Sequence, residues 1–397
     1  MDKIIILRHK LSVFGGAELV LVEEVKNFKK MGYDVTVVVF EINKAEFNKR
    51  LEGVRIEEIK GNFLRQVVGL RNLIKKINPK AVIVQENGHI HLFFSKFFFK
   101  SKPFCVSHMY GSFIWLVGSK LNYSWFYRPK IIEIHKDVPG HGIFNGDIKK
   151  KLGIIGRFKS ELHAILDFLA VRNFDEILTC SNITARELKK LYGINPKIIA
   201  GGVDTNLFNP EGLDADKIKK KMDYSAGDRI IMTVNRLDTR KRIDLLIESF
   251  DLLPNKFKNF KLLIIGKGPE KDNLQKLIDE KNIKNVFLLG FVDNESLMNY
   301  YLISEIIAYP AWCAWGLVPI EAIAMNKKVV VSSDAAVQEA ISGLKDVFVA
   351  KPEIKDFSNK IWQALNSKTI GYREYAKKNF DWVVYFKKIN DLIIMKK

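Results

Sequence analysis

The first forty residues restrict this chain more than any other stretch, because they spell strand, glycine turn, helix, strand. Residues 4–7 are a short apolar run, Gly15 and Gly16 follow in a turn, and Leu19, Val22, Val25 and Phe28 recur between lysines and glutamates. Gly32 then stops the segment and residues 35–40 supply a second apolar run. Apolar positions at a spacing of three lay one face of a helix on a sheet. Two strands joined by such a crossover run parallel, and a parallel sheet is covered on both faces. The chain is therefore expected to be α/β.

The alternation continues. A helix is expected over residues 70–77 and strands over 81–84, 103–106 and 176–180. Residues 201–221 then turn polar, with Pro210, Gly212 and a cluster of lysines, and a second series begins. Its strands are expected at 230–234, 261–265, 286–289, 306–309 and 329–331, with helices over 243–253, from 273 and from 320. At 397 residues the chain exceeds what one hydrophobic core usually serves. The expected organisation is a first domain over 1–205, a second over 206–380, and a closing helix over 381–397 able to cross back onto the first domain. Two doubly wound, Rossmann-like domains imply a central cleft between the carboxyl ends of their sheets.

Charge is the unusual part of the composition. Basic residues outnumber acidic ones by 19 overall, and residues 1–200 carry +14 of that excess. A field of this sign draws phosphorylated substrates, anionic membrane or nucleic acid, and does not choose among them. No helix-turn-helix or RNA-recognition motif accompanies it, so nucleic acid is not expected as a partner. Cys105, Cys180 and Cys313 are odd in number and form no Cys-x-x-Cys pair, which argues against a disulfide framework or a zinc site. The opening residues are too short for a signal sequence and no apolar stretch approaches membrane-spanning length. A cytoplasmic protein is expected, with any membrane contact peripheral.

Candidate chemistry gathers in the second half. Residues 234–242, VNRLDTRKR, follow a strand and open a helix, where backbone amides and the helix dipole favour an anion. Arg236 and Lys241 can neutralise two phosphates there. Gly266 and Gly268 form a second strand-to-helix turn, which suits either a ligand or a tight bend. Phe291 and Val292 follow the next strand on the same edge, where backbone contacts to a base, or an ordinary loop, fit equally. Residues 309–322, YPAWCAWGLVPIEA, place Gly316 and Leu317 in a turn before a helix, so their amides can hold a phosphate while Glu321 accepts hydrogen bonds from ribose hydroxyls.

These residues resemble the retaining glycosyltransferases of family 4, which have the GT-B fold. The resemblance runs over nearly the whole chain. It takes in the GGAE turn at 15–18, SNIT at 181–184 leading to YGI at 192–194, GVDTNLF at 202–208, and the Arg236/Lys241 pair. It implies that Arg236 and Lys241 bind the donor diphosphate and serve catalysis, that Glu321 binds the ribose, and that Gly15 and Gly16 lie under donor and acceptor. His108 stands near the position where such enzymes keep a histidine close to the transferred sugar. The resemblance further implies a nucleotide-diphosphate sugar as donor, a glycan or lipid-linked hydroxyl as acceptor, and no metal cofactor. The leaving diphosphate can itself take the acceptor's proton, so positioned charge replaces a catalytic base. One departure stands out. The family pattern has a glutamate eight residues before Glu321, and this chain has Cys313. That opens one alternative, a catalytically weak sugar-nucleotide-binding protein; among enzymes the nearest rival is a sugar-nucleotide epimerase, against which the combination of Arg236, Lys241 and Glu321 favours transfer. Trp315 also replaces the commoner phenylalanine before the glycine.

Weaker signals are four. Asp214 and Asp216 resemble a metal pair but fall in the lysine-rich linker. His135, Asp137 and His141 are ringed by Pro139, Gly140 and Gly142, which reads as a loop on the acceptor side or in solvent. His89 and His91 read as packing or surface residues. Residues 92–102, with Trp115, Trp125, Phe126, Tyr127 and Arg128, mix aromatics with cations as either a bilayer interface or a buried helix edged by lysines.

Overall fold

The computed structural model describes residues 1–12, 14–85, 88–96, 103–109, 154–214, 216–221, 224–225, 227–254, 259–313 and 315–395. The chain divides into two compact units, Met1–Ala200 with Trp382–Lys397, and Gly201–Asp381.

The first unit is built on seven strands: β1 (Lys3–Leu11), β2 (Asp34–Ile42), β3 (Arg55–Glu58), β4 (Ala81–Gln85), β5 (Phe104–Met109), β6 (Glu176–Thr179) and β7 (Lys197–Ile198). Their spatial order is β3-β2-β1-β4-β5-β6-β7 and every pairing is parallel. The order reverses between β1 and β4, which makes that gap the topological switch point. Every residue of β4 and β5 is buried, as a sheet covered on both faces requires. One layer packs Ile5, Leu7, Val38 and Phe40 against Leu70, Ile74 and Ile77 of the helix Phe63–Ile77. That helix starts seven residues before the expected position because Asn62 caps it, accepting from Arg65 N at 3.1 Å.

The helix Gly16–Lys30 buries more than its apolar stripe, since Leu21, Glu24 and Asn27 are inside as well. The helix Trp382–Met395 packs against it. Phe386 meets Phe28 with ring centroids 5.9 Å apart, and Tyr33 donates to Asn390 at 2.7 Å.

The second unit repeats the plan with β8 (Arg229–Val234), β9 (Phe260–Ile265), β10 (Val286–Gly290), β11 (Ile306–Tyr309), β12 (Lys328–Ser332) and β13 (Val347–Ala350). The order is β10-β9-β8-β11-β12-β13, again wholly parallel, with its reversal between β8 and β11. Its core joins Leu246, Ile247 and Phe250 of the helix Ile243–Asp251 to Phe357 and Ile361 of the helix Ile354–Leu365 over the strands. The division between units falls at Ala200/Gly201 rather than after Thr205. Val203 N donates to Phe380 O at 2.7 Å and Arg373 Nη2 to Thr205 O at 2.7 Å, which ties the connecting segment to the second unit. Among the described residues no helix is long and apolar enough to cross a membrane.

Candidate functional site

The switch point of the second unit is bordered by the loop after β8 and the loop after β11. The first of these is shaped by its neighbour. Asn235 N donates to Ile265 O at 2.9 Å and Leu237 N to Lys267 O at 3.0 Å, so the loops after β8 and β9 are stitched together. A Cβ on Gly266, at φ +138°, would lie 1.8 Å from Asn235 O, and one on Gly268 would lie 2.1 Å from Leu237 O. Both glycines are thus required by the chain's own backbone. Leu237 is buried, which leaves Arg236 beside it exposed at the end of the strand.

Lys241 does not lie on the first turn of the following helix, as its spacing suggests. It closes a short 3-10 turn, Thr239–Lys241, and Arg242 at φ +47° separates that turn from the helix Ile243–Asp251. The cause is a buried ion pair: Arg242 reaches Asp334 at 2.8 Å, and Asp334 also accepts from Ser332 Oγ at 2.6 Å. With Arg242 so fixed, Lys241 turns the other way, its Nζ 5.7 Å from the centre of the Tyr309 ring at the end of β11. Arg240 is neutralised by Asp238 at 3.1 Å. Among the described residues neither Arg236 nor Lys241 has a carboxylate partner.

The loop after β11 is held to this turn by Trp312 N donating to Arg240 O at 3.1 Å. Cys313 bridges in parallel to Ala335, and its thiol lies 3.4 Å from the Tyr309 hydroxyl. Burial pushes that thiol up from its ordinary value, so no negative charge replaces the glutamate of the family pattern. Gly316 admits no side chain, since a Cβ would stand 2.6 Å from Tyr309 Oη. Trp315 lies over Gly201, where a Cβ would come within 2.5 Å of the indole nitrogen. Leu317 caps the helix Val318–Ala324, with Pro319 in its first turn as proline's fixed φ favours.

Glu321 stands on that short helix. Its Oε2 accepts from Tyr301 at 2.9 Å, and Tyr301 is wholly buried on the helix Asn294–Ile303. Burial pushes the carboxyl up to about 7, while the Tyr301 hydroxyl acts in the opposite direction. Its other oxygen makes no hydrogen bond among the described residues. Phe291, 71% exposed, follows β10 with Lys267 Nζ 5.6 Å from its ring centre, and Val292 beside it is half-buried.

The remaining expected residues belong to the first unit. Gly15 caps the helix Gly16–Lys30. A Cβ on Gly16 would meet nothing within 4 Å, so the chain's own packing does not demand a glycine there. His108 lies within β5 rather than after it and is 1% exposed. Burial pulls its pKa down to about 3, so the ring is neutral. Arg236, Lys241, Gly266, Phe291, Val292, Cys313, Gly316, Leu317 and Glu321 are gathered by one unit, and Gly15, Gly16 and His108 by the other.

Sequence reasoning missed the polar chain around His108. Arg8 binds Glu18 at 2.6 Å and Gln85 at 3.2 Å, Gln85 donates to Glu24, and Glu24 faces His108 at 3.6 Å. The available signal was a charged residue set against each apolar pattern, Arg8 directly after residues 4–7 and Glu24 within the helix. The weaker signals resolve simply. Asp214 accepts from Asp216 N at 2.9 Å, a turn contact. His89 binds Ser107 at 2.7 Å and His91 stacks on Phe40 at 4.3 Å, so both pack. Of residues 92–102 the described part lies in the helix His89–Lys96, whose Lys96 is buried and donates to Asn173 O at 2.9 Å. Residues 97–102, Trp115, Trp125, Phe126, Tyr127, Arg128, His135, Asp137 and His141 lie outside the described residues.

Comparison with known proteins agrees over both units. Residues 14–207 match the family model Glycosyltransferase Family 4, and residues 214–381 match Glycosyl transferases group 1. An uncharacterized glycosyltransferase of Methanocaldococcus jannaschii is 24% identical over 292 residues, which is 71% of each chain. The alpha-monoglucosyldiacylglycerol synthase of Acholeplasma laidlawii is 28% identical over 162 residues, 39% of this chain and 41% of that relative, so the match spans well under two thirds of the latter. Among solved structures, the Anabaena protein HepE in complex with UDP superposes with a TM-score of 0.74 at 18% identity, covering 99% of this chain and 100% of that one. That likeness establishes the GT-B fold.

Proposed function

The chain belongs to the group 1 glycosyl transferases, family 4, and we propose that it moves a hexose-type sugar, with retention, from a nucleoside-diphosphate sugar to a hydroxyl of a glycan or lipid-linked acceptor. One observation carries the reading: two cations without carboxylate partners among the described residues, Arg236 and Lys241, share a switch point with a carboxylate, Glu321, that keeps one oxygen unbonded among those residues. A diphosphate answers the cations and a ribose diol answers the carboxylate. Phe291 offers an exposed ring for the base. Arg236 and Lys241 then stabilise the charge that grows on the leaving diphosphate, and that diphosphate takes the acceptor proton on the same face. Gly16, free of packing demands, suits a place where a substrate approaches backbone, and neutral His108 suits a hydrogen bond to the sugar.

The relatives order the candidates. The Anabaena complex holds UDP, so uridine is the first base to try. The Acholeplasma synthase is named for a glucosyldiacylglycerol product, so a lipid acceptor comes first. A lipid is also supported by an apolar stripe on the helix Ile154–Val171, where Phe158, Leu162, Ile165 and Leu169 are 70%, 48%, 44% and 46% exposed at helical spacing within the more basic half. A thermal-shift screen with UDP, GDP and ADP and their sugars tests the donor site, and full retention of the shift in both Lys241→Ala and Glu321→Ala removes the assignment. Co-sedimentation with anionic vesicles at low salt tests the lipid side, and absence of binding removes it.

A second reading is supported by Cys313. A neutral thiol bonded to Tyr309 supplies no carboxylate to the sugar hydroxyls, which suits a protein that binds sugar nucleotides and turns them over slowly. Nucleotide protection without product from any donor favours it.

A further inference from the structure

The first unit buries a carboxyl that the proposed reaction leaves unused. Glu24 sits midway along the helix Gly16–Lys30 with no exposed surface. Its Oε2 accepts from Gln85 Nε2 at the end of β4, and Gln85 is itself fixed by Arg8 Nη1 at 3.2 Å. Its Oε1 makes no hydrogen bond among the described residues and faces His108 Nδ1 at 3.6 Å. Orphaned buried carboxyl oxygens are costly, and this one is aimed at a ring nitrogen one small side-chain movement from hydrogen-bond length.

We propose that Glu24 is a positioning residue that decides which nitrogen of His108 carries the ring proton. The proposal rests on the reading above only in giving His108 a sugar to meet. A protonated carboxyl donates to Nδ1 and leaves the ring proton on Nε2; a carboxylate accepts from Nδ1–H and leaves Nε2 an acceptor. In passing between these states the pair releases one proton to solvent while the imidazole keeps one, moved from Nε2 to Nδ1. A sugar hydroxyl at Nε2 would therefore meet a donor in one state and an acceptor in the other.

The surroundings set where the change falls. Burial pushes Glu24 up to about 8, opposed by the Gln85 hydrogen bond and by the charge of Arg8. Burial holds His108 neutral throughout the working range. From β1 the facing charge is Arg8, already bound to Glu18 at 2.6 Å. From β4 it is the neutral Gln85, and from β5, beside His108, it is Ser107, bound to His89. From the C-terminal helix it is Tyr385, whose ring centre is 6.4 Å from that of His108. On the helix of Glu24 itself, Glu23 is paired with Lys26 at 2.7 Å. Among the described residues, Glu24 is thus the group whose proton changes near pH 8 beside this ring.

The test is a long-range proton–nitrogen spectrum of the full chain labelled with nitrogen-15 in histidine, recorded from pH 6 to 9.5 without substrate. His108 is assigned by His108→Asn. The expected result is a neutral ring with its proton on Nε2 at pH 6.5, changing to Nδ1 with a midpoint at about 8, and loss of that change in Glu24→Leu. A single tautomer across the range in the unaltered protein overturns the proposal, as does an unshifted midpoint in Glu24→Leu. If Glu24→Leu does not fold, the titration of the unaltered protein decides alone. No sugar nucleotide is present, so a chain that shows the change yet transfers no sugar refutes the proposed function and leaves this inference standing.

Discussion

Glu321→Gln makes the sharpest test of the donor site, because the carboxyl is held near its titration point. In the free protein it titrates at about 7 under the cost of burial. Ribose hydroxyls donate hydrogen bonds and so favour the ionised form, which means binding must drive the proton off below that pH. Affinity should therefore be constant above pH 8 and fall as pH drops, to about tenfold weaker at pH 6, which corresponds to roughly 1.4 kcal/mol. The assay is calorimetric titration with UDP-glucose, whose diphosphate does not itself titrate in this window, in buffers of different ionisation enthalpy to count the released proton. Glu321→Gln should bind more weakly than the native protein at pH 8 and show no pH dependence from this source.

The same shift has a stability consequence of opposite sense. A carboxyl raised from 4.5 to about 7 binds more protons folded than unfolded between those values, so its contribution falls as pH rises through that interval and stays low above it. Glu321→Gln removes a destabilising buried charge and should raise the thermal midpoint of the second unit at pH 8 by an amount equivalent to about 1–3 kcal/mol, with little change at pH 5. A native affinity that is flat between pH 6 and 8, or a Gln variant that binds UDP-glucose as tightly as the native protein, refutes the assignment of Glu321 to the nucleotide.

Lys241→Ala and Arg236→Ala should each weaken UDP by about 10- to 100-fold, as loss of a charge-assisted hydrogen bond implies, while uridine binding is unchanged; calorimetry with both ligands separates the effects. Gly316→Ala, whose Cβ would stand 2.6 Å from Tyr309 Oη, should destabilise the second unit by about 1–3 kcal/mol and remove the nucleotide-induced thermal shift. Phe386→Ala empties a fully buried site against Phe28 and should cost the first unit about 3–5 kcal/mol in chemical denaturation, with UDP affinity intact.

Much of this molecule is legible in the sequence where apolar runs and glycines do one job. The strand at 306–309 falls on β11 residue for residue, because its run is short, continuous and closed by Pro310. The edge strand Arg55–Glu58 is missed because RIEE has no apolar period to read, although it pairs in register with β2. The strand Val347–Ala350 and the helices Ile354–Leu365 and Arg373–Phe380 lie between the expected strand at 329–331 and the expected closing helix, a stretch in which no element is expected from the sequence. Lys241 is placed one element too late because the ion pair that bends the chain at Arg242 involves Asp334, 92 residues away. Gly266 and Gly268 are legible as a special turn, but not as one filled by the chain's own Asn235 and Leu237.

The two units also differ in how they use the same topology. Each reverses its strand order once, and each puts polar side chains at the strand ends flanking that reversal. In the first unit Arg8 from β1, Gln85 from β4 and His108 from β5 are buried and linked, with Glu24 closing the chain from a helix. Charge placed there is consumed internally, and what remains is the orientation of one neutral ring. In the second unit the residues after β8 are stitched to the neighbouring loop by backbone, which leaves Arg236 exposed and Lys241 over Tyr309, both without carboxylate partners among the described residues. Its charge is therefore available to an anion before any ligand arrives. Stabilising a leaving diphosphate needs positive charge that is already in place and unspent, whereas orienting a sugar needs a rigid, uncharged donor or acceptor. On the proposed function, the second unit's unspent charge serves the leaving diphosphate and the first unit's neutral ring serves the sugar.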